Sequence, residues 1–162
     1  MLIDWRYSVN GSLWDFFHSP VFWSAFLAWL VAQCAKMICN LALTHRLDFQ
    51  YLVSLGGMPS AHSAMVSSLA TALGLQCGWG SPVFALSFGF AALTMFDAST
   101  VRRAAGQQAR VLNGIVDELF KQHTFPDKKL MELIGHTRLE VFMGMAVGIL
   151  VAMLIYAVPI LM

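Results

Sequence analysis

Two histidines stand at the mouths of apolar stretches, each in a setting that suits phosphate chemistry. His62 closes the run Met58-Pro59-Ser60-Ala61-His62, just inside one stretch; His136 belongs to Gly135-His136-Thr137-Arg138-Leu139-Glu140, just before another. Residues four apart share a helix face, so Glu140 is expected beside His136. A carboxylate on one ring nitrogen fixes the tautomer and leaves the other nitrogen to attack or to take a proton. The same spacing also suits a metal or a simple helix cap. Gly56-Gly57-Met58-Pro59-Ser60 reads as a loop delivering the chain to a helix start, where glycines allow close backbone approach and free N–H groups hold an anion. The alternative there is an ordinary N-cap, with His62 solvating the interface.

Cations are available to accompany the histidines. Lys36 lies inside the first apolar stretch, where a lysine costs about 2.5–3.5 kcal/mol on insertion scales. Either it snorkels to the interface or it faces the bundle as a phosphate ligand, with Gln33 one turn earlier on the same face. Arg102 and Arg103 follow the third stretch. They could clamp phosphate oxygens with forked hydrogen bonds or serve only as membrane anchors, and Asp97 could pair with one of them. Arg110, Asn113, Asp117, Glu118 and His123 read as the wet face of a helix and carry no assigned chemistry.

The elements that must position these groups are mostly hydrocarbon. Hydrophobic residues make up 58% of the chain and charged ones 12%, against about 25% charged in a typical soluble domain, so an integral membrane protein is expected. Four apolar segments run over residues 21–43, 60–76, 82–96 and 139–161. About 20 helical residues span a bilayer core; the first and last suffice, while the middle two are shorter and either borrow neighbouring small residues or reach only part way. The expected fold is an all-α integral membrane helical bundle of four membrane-embedded helices plus amphipathic surface helices, forming a single membrane domain over residues 1–162. Residues 1–19, with Trp5, Tyr7, Trp14, Phe16 and Phe17 among a few charges, read as an interfacial segment or a frayed tail, and carry no signal-peptide pattern. Within 97–135, apolar residues at Val101, Ala105, Ala109, Leu112, Ile115, Val116 and Leu119 mark a surface helix from about Ala98 to Gln122, followed by a loop. Cys34, Cys39 and Cys77 read as small buried hydrophobes.

Charge asymmetry gives an orientation. Arg46, Arg102, Arg103, Arg110, Lys121, Lys128, Lys129 and Arg138 all fall in the two connections after the first and third segments, and Arg6 alone lies on the other side. The positive-inside rule puts those connections in the cytoplasm and both termini outside. His62 and His136 then share the cytoplasmic face, and a bacterial inner membrane is the expected location. The net charge of +1 offers nothing to a nucleic acid, and no such partner is expected.

As a set, Ala32-Gln33-x-x-Lys36, Gly56-Gly57-Met58-Pro59-Ser60-Ala61-His62-Ser63-Ala64, Phe96-Asp97-Ala98, Val101-Arg102-Arg103-Ala104-Ala105-Gly106 and Gly135-His136-Thr137-x-Leu139-Glu140-Val141 resemble a known family. The chain is similar, from about residue 20 to 155, to the divergent small membrane branch of the type-2 phosphatidic acid phosphatase and vanadium haloperoxidase superfamily. The resemblance implies His136 as nucleophile, Glu140 as its orienter and His62 as general acid, with phosphate held by Ser60 and the local backbone. The sequence departs from the wider superfamily in three ways. Leu130 stands where an arginine is expected six residues before His136, and Arg102 or Arg103 could replace it from another element. The Arg-Pro after Lys36 is missing. Four apolar segments replace six, so a second copy of the chain is one way to close the bundle.

The expected function is hydrolysis of a lipid phosphomonoester (of the phosphatidylglycerophosphate, phosphatidate or isoprenoid phosphate kind) through a phosphohistidine at the cytoplasmic face. The expected phosphate ligands are Lys36, Ser60, Arg102, Arg103, Asp97 and Gln33, and the expected partners are the lipid phosphate and the bilayer. Cationic side chains do the charge work, so no cofactor or metal is expected. The alternative is a non-enzymatic membrane protein that binds anionic lipid headgroups through the same basic cluster. A transporter is disfavoured, because residues 141–155 are free of charged and strongly polar groups.

Overall fold

The computed structural model describes residues 13–44, 57–119 and 135–158. Among them the regular elements are six α-helices: α1 (Leu13–His18), α2 (Pro20–Thr44), α3 (Ala61–Cys77), α4 (Pro82–Ser99), α5 (Val101–Leu119) and α6 (Arg138–Ala157). The four apolar segments become α2, α3, α4 and α6, and three stretches are long and apolar enough to cross a membrane: Pro20–Ala42, Pro82–Glu118 and Arg138–Ala157. Residues 1–12, most of the expected interfacial segment, and residues 120–134, with the end of the expected surface helix and the loop after it, lie outside the described residues.

The bundle is built around α3, which packs against α2, α4 and α6. Its sequence explains why. Nine of the fourteen residues from Ala61 to Gly74 are Ala, Ser, Thr or Gly, and of its ten buried residues all but Val66 are of these types. Lipid tails are as apolar as leucine, so helices in a bilayer associate through close backbone approach and hydrogen bonds between small residues rather than by hiding large apolar ones. The core accordingly consists largely of alanines, including Ala28, Ala32, Ala64, Ala72 and Ala152, while Leu86, Phe90, Leu93, Phe96, Phe142 and Leu154 point outward. Such a surface suits hydrocarbon and not water.

Two glycines on α6 set the α3–α6 distance. A Cβ on Gly144 would run into the Ser60 carbonyl and one on Gly148 into the Ala64 carbonyl, so the helices touch backbone to backbone. The Ser67 hydroxyl donates to the Ser63 carbonyl at 2.7 Å and lies 3.2 Å from the Met145 carbonyl on α6. Ser68 donates to the Ser24 carbonyl on α2 at 2.8 Å. At the far end, Tyr156 donates to Gln76 at 2.9 Å, joining the last turns of α6 and α3.

Helix ends follow local chemistry. Ser81 caps α4 by accepting from Phe84 N–H, with Pro82 in the first turn. Thr137 and Glu140 form a reciprocal capping box at the start of α6. α4 runs to Ser99, past the Phe96 end expected from hydropathy, because Asp97-Ala98-Ser99 holds no glycine or proline. Thr100 closes it by turning both its amide and its hydroxyl back onto the Phe96 carbonyl, at 3.0 and 2.6 Å. α5 therefore starts at Val101. Cys34 is exposed and Cys39 and Cys77 half-buried, so none is the buried hydrophobe expected; in helices apolar on every side hydropathy alone does not mark the inner face.

Candidate active site

Three helix ends meet at one end of the bundle: the starts of α3 and α6 and the end of α4. Two backbone hydrogen bonds tie them. Ser60 N–H donates to the Glu140 carbonyl at 3.1 Å, and His136 N–H donates to the Ala98 carbonyl at 3.0 Å. A glycine of positive φ precedes each histidine: Gly57 at 95° and Gly135 at 119°, a region that side-chain-bearing residues rarely enter. Gly135 also needs the space. A Cβ there would lie 2.5 Å from Arg103 N and 2.8 Å from the Arg102 carbonyl carbon. The chain thus reaches His136 by pressing bare backbone onto the start of α5.

His136 is only 4% exposed. Its Nδ1 lies 3.0 Å from Glu140 Oε2, and the same oxygen accepts from Thr137 N–H at 3.0 Å. The carboxylate is thereby held from two sides, and Nδ1 becomes the protonated ring nitrogen. That leaves Nε2 with its lone pair, the form a nucleophile or base requires. Burial pushes the His136 imidazole below its usual range. The hydrogen bond and charge of Glu140 pull the other way, while Lys36 and Arg102 add to the lowering.

Lys36 comes from α2 and is buried, 3% exposed. Gly57 packs on its stem, with a Cβ there meeting Lys36 Cγ and Cδ at 3.3 Å. Lys36 does not snorkel: it lies eight residues (36 to 44) before the end of α2, about 12 Å along the axis, and feels the charge of Glu140. Gln33, one turn away, is buried on the same face. Ser60 is fully buried and caps α3, its hydroxyl accepting from Ser63 N–H at 3.4 Å and Ser63 Oγ–H at 3.0 Å. His62 is exposed and lies within electrostatic reach of Arg102, His136 and Lys36.

The two arginines separate. Arg102 Nε donates to Asp97 Oδ2 at 2.7 Å, and its charge reaches both histidines. Asp97 therefore touches the cluster by orienting Arg102; as a carboxylate it would repel a phosphate. Arg103 contributes its backbone to the Gly135 contact, and its side chain is exposed. The structure thus brings Lys36, Ser60, His62, Arg102, His136 and Glu140 together, with Gln33 and Asp97 behind them and Arg103 at the edge. Among the described residues no group of three or more His, Cys, Asp or Glu side chains could hold a metal ion. Sequence reasoning missed the supports, Gly144 and Gly148. Their Gly-x-x-x-Gly spacing in an apolar helix was the signal available.

Comparison with known proteins agrees with this architecture. The model of the divergent PAP2 family matches residues 17–151. A Bacillus subtilis (strain 168) protein, bearing the name uncharacterized membrane protein YuiD, is 41% identical over 143 residues, covering 82% of this chain and 90% of the relative. No solved structure matches. The chain belongs to the divergent PAP2 family.

Proposed function

We propose that this member of the divergent PAP2 family is a phosphatase that hydrolyses a lipid phosphomonoester at the cytoplasmic face of a bacterial inner membrane. The observation that carries the reading is the buried His136 imidazole, held through Nδ1 by Glu140, with two cations, Lys36 and Arg102, in electrostatic reach. Nε2 of His136 attacks phosphorus; the N–P bond forms as the P–O bond to the lipid breaks, and His62 gives its proton to the leaving oxygen. His62 then takes a proton from water, whose oxygen attacks phosphorus. The N–P bond breaks and inorganic phosphate leaves. Lys36 and Arg102 offset charge on the equatorial oxygens, the main demand of phosphoryl transfer. Asp97 holds the Arg102 fork in place, and Ser60 with the first turn of α3 shapes the anion pocket.

The depth of Lys36 suits a headgroup drawn slightly below the membrane boundary. Both termini would lie outside, with α5 along the cytoplasmic surface and its exposed Val111, Leu112, Ile115 and Val116 toward the lipid. A pure headgroup binder would use the same cations but has no need of an oriented, neutral imidazole, which favours the enzyme. Purified protein in mixed micelles is expected to release phosphate from phosphatidate, phosphatidylglycerophosphate or an isoprenoid phosphate, and His136→Asn to abolish release while headgroup binding persists. Binding by wild type with no release from any of the three would instead make the protein a headgroup binder.

A further inference from the structure

Below the candidate site, α3, α4 and α6 leave a partly open cleft of about 220 Å³. Its lining includes Ser67 and Thr71 from α3, Phe84, Phe88 and Met95 from α4, and Met145, Ile149 and Met153 from α6. Resting on the phosphatase reading above, we propose that this cleft binds a hydrocarbon chain of the same lipid whose phosphate meets His136.

Three observations lead there. The first is dryness. The polar side chains in the lining satisfy themselves: Ser67 donates to the Ser63 carbonyl at 2.7 Å and Thr71 to the Ser67 carbonyl at 2.8 Å. The remaining lining is apolar, so nothing there calls for water or a polar ligand, and such cavities stay dry or take hydrocarbon. The second is continuity. Ser67 lies five residues below His62 (62 to 67) and Met145 five below Glu140 (140 to 145), about 7.5 Å by helical rise. Met95 lies one turn from Ala98, whose carbonyl holds His136 N–H. A chain leaving the phosphate therefore meets the top of the cleft directly. The third is length. From Phe84 to Met95 the cleft follows α4 for eleven residues, about 16 Å, roughly half of a 30 Å hydrocarbon core, which is the depth of one leaflet's chains. The three methionines give walls that adapt to the chain's shape.

The test reads docking separately from turnover. A phosphatidate carrying a photoactivatable diazirine at the end of one chain is incorporated with the full-length protein in mixed micelles, beside a phosphatidylcholine with the same chain. Labelled residues are then mapped by mass spectrometry. Labelling is expected to concentrate on the lining residues Phe84, Phe88, Met95, Met145, Ile149 and Met153, to be at least tenfold stronger for the phosphatidate, and to fall severalfold in Ile149→Phe, which fills the cleft. In phosphate release, the same variant is expected to raise KM for a long-chain lipid phosphate about tenfold and leave a water-soluble short-chain analogue unchanged. Equal labelling by the two lipids would make the cleft a site for bulk lipid and overturn the proposal. So would labelling spread evenly over the outward Leu86, Phe90 and Leu93, or labelling indifferent to Ile149→Phe. If the chain docks as expected but no phosphate is released, the phosphatase reading fails while the cleft assignment stands.

Discussion

The two ends of the α3–α6 contact are held by different physics. At the site, the helix starts are joined by directed bonds: Ser60 N–H to the Glu140 carbonyl, His136 N–H to the Ala98 carbonyl, and Glu140 Oε2 shared between His136 and Thr137. One to two turns deeper, the same helices are joined largely by missing side chains, where Gly144 and Gly148 let backbone meet backbone. Hydrogen bonds fix angles, as an attacking imidazole requires. Close packing fixes a distance and transmits it. A site of this kind needs both, because the angle of His136 to Glu140 has chemical value only if Lys36 on α2 and Arg102 on α5 stay at a fixed reach.

Substitutions can separate the two contributions. The largest expected effect is at the directed end. His136→Asn keeps the shape but removes the proposed nucleophile, and phosphate release should fall by at least about 10³-fold, with an unchanged thermal transition in detergent. Next is the arginine pair. Arg102→Ala should lower kcat/KM by about 10²–10³-fold, the scale of losing one donor to developing charge. Arg103→Ala should remain within a few-fold of wild type; equal losses would mean the two arginines act together. At the packed end, Gly148→Ala should destabilise the bundle by about 1–3 kcal/mol through overpacking, measured as a lowered detergent-unfolding midpoint. Ser67→Ala, which removes one hydroxyl from the helix interface, should cost only about 0.6 kcal/mol.

Acid sensitivity belongs to the directed end alone. Burial, with Lys36 and Arg102, holds His136 below its ordinary value of 6.5. The neutral form, the one the proposed attack needs, therefore persists into mildly acid solution and is lost only as pH falls through the lowered value. The acid limb of kcat/KM should lie below pH 6.5 in wild type and move upward in Arg102→Ala, where one lowering charge is gone. A limb that moves downward would contradict the placement of Arg102.

The directed end was also the more legible in sequence. His136 and Glu140 could be paired from spacing alone, because i,i+4 is a geometric fact of any helix, and the four apolar segments gave the helices to within a few residues. The arginine that reaches the histidines could not be chosen, since adjacent helical residues project about 100° apart and only the Asp97 contact and the seat of Gly135 separate Arg102 from Arg103. The centrality of α3 was hidden for another reason. Its buried residues are all Ala, Ser, Thr or Gly except Val66, so no stripe of large apolar residues marks its inner faces, and its partners are chosen by backbone fit. The start of α5 was misjudged by three residues, because hydropathy falls at Asp97 while the helix itself ends only at Thr100.

The central claim concerns a covalent bond at one nitrogen. The protein is mixed with a ³²P-labelled lipid phosphate, quenched in base within the first turnover and digested, and the labelled peptide is sequenced by mass spectrometry. Phosphate on the His136 peptide, stable to base, labile to acid and accumulating further in His62→Ala, is the expected result. Steady release of phosphate with no such adduct, or an adduct on any other residue, would contradict it.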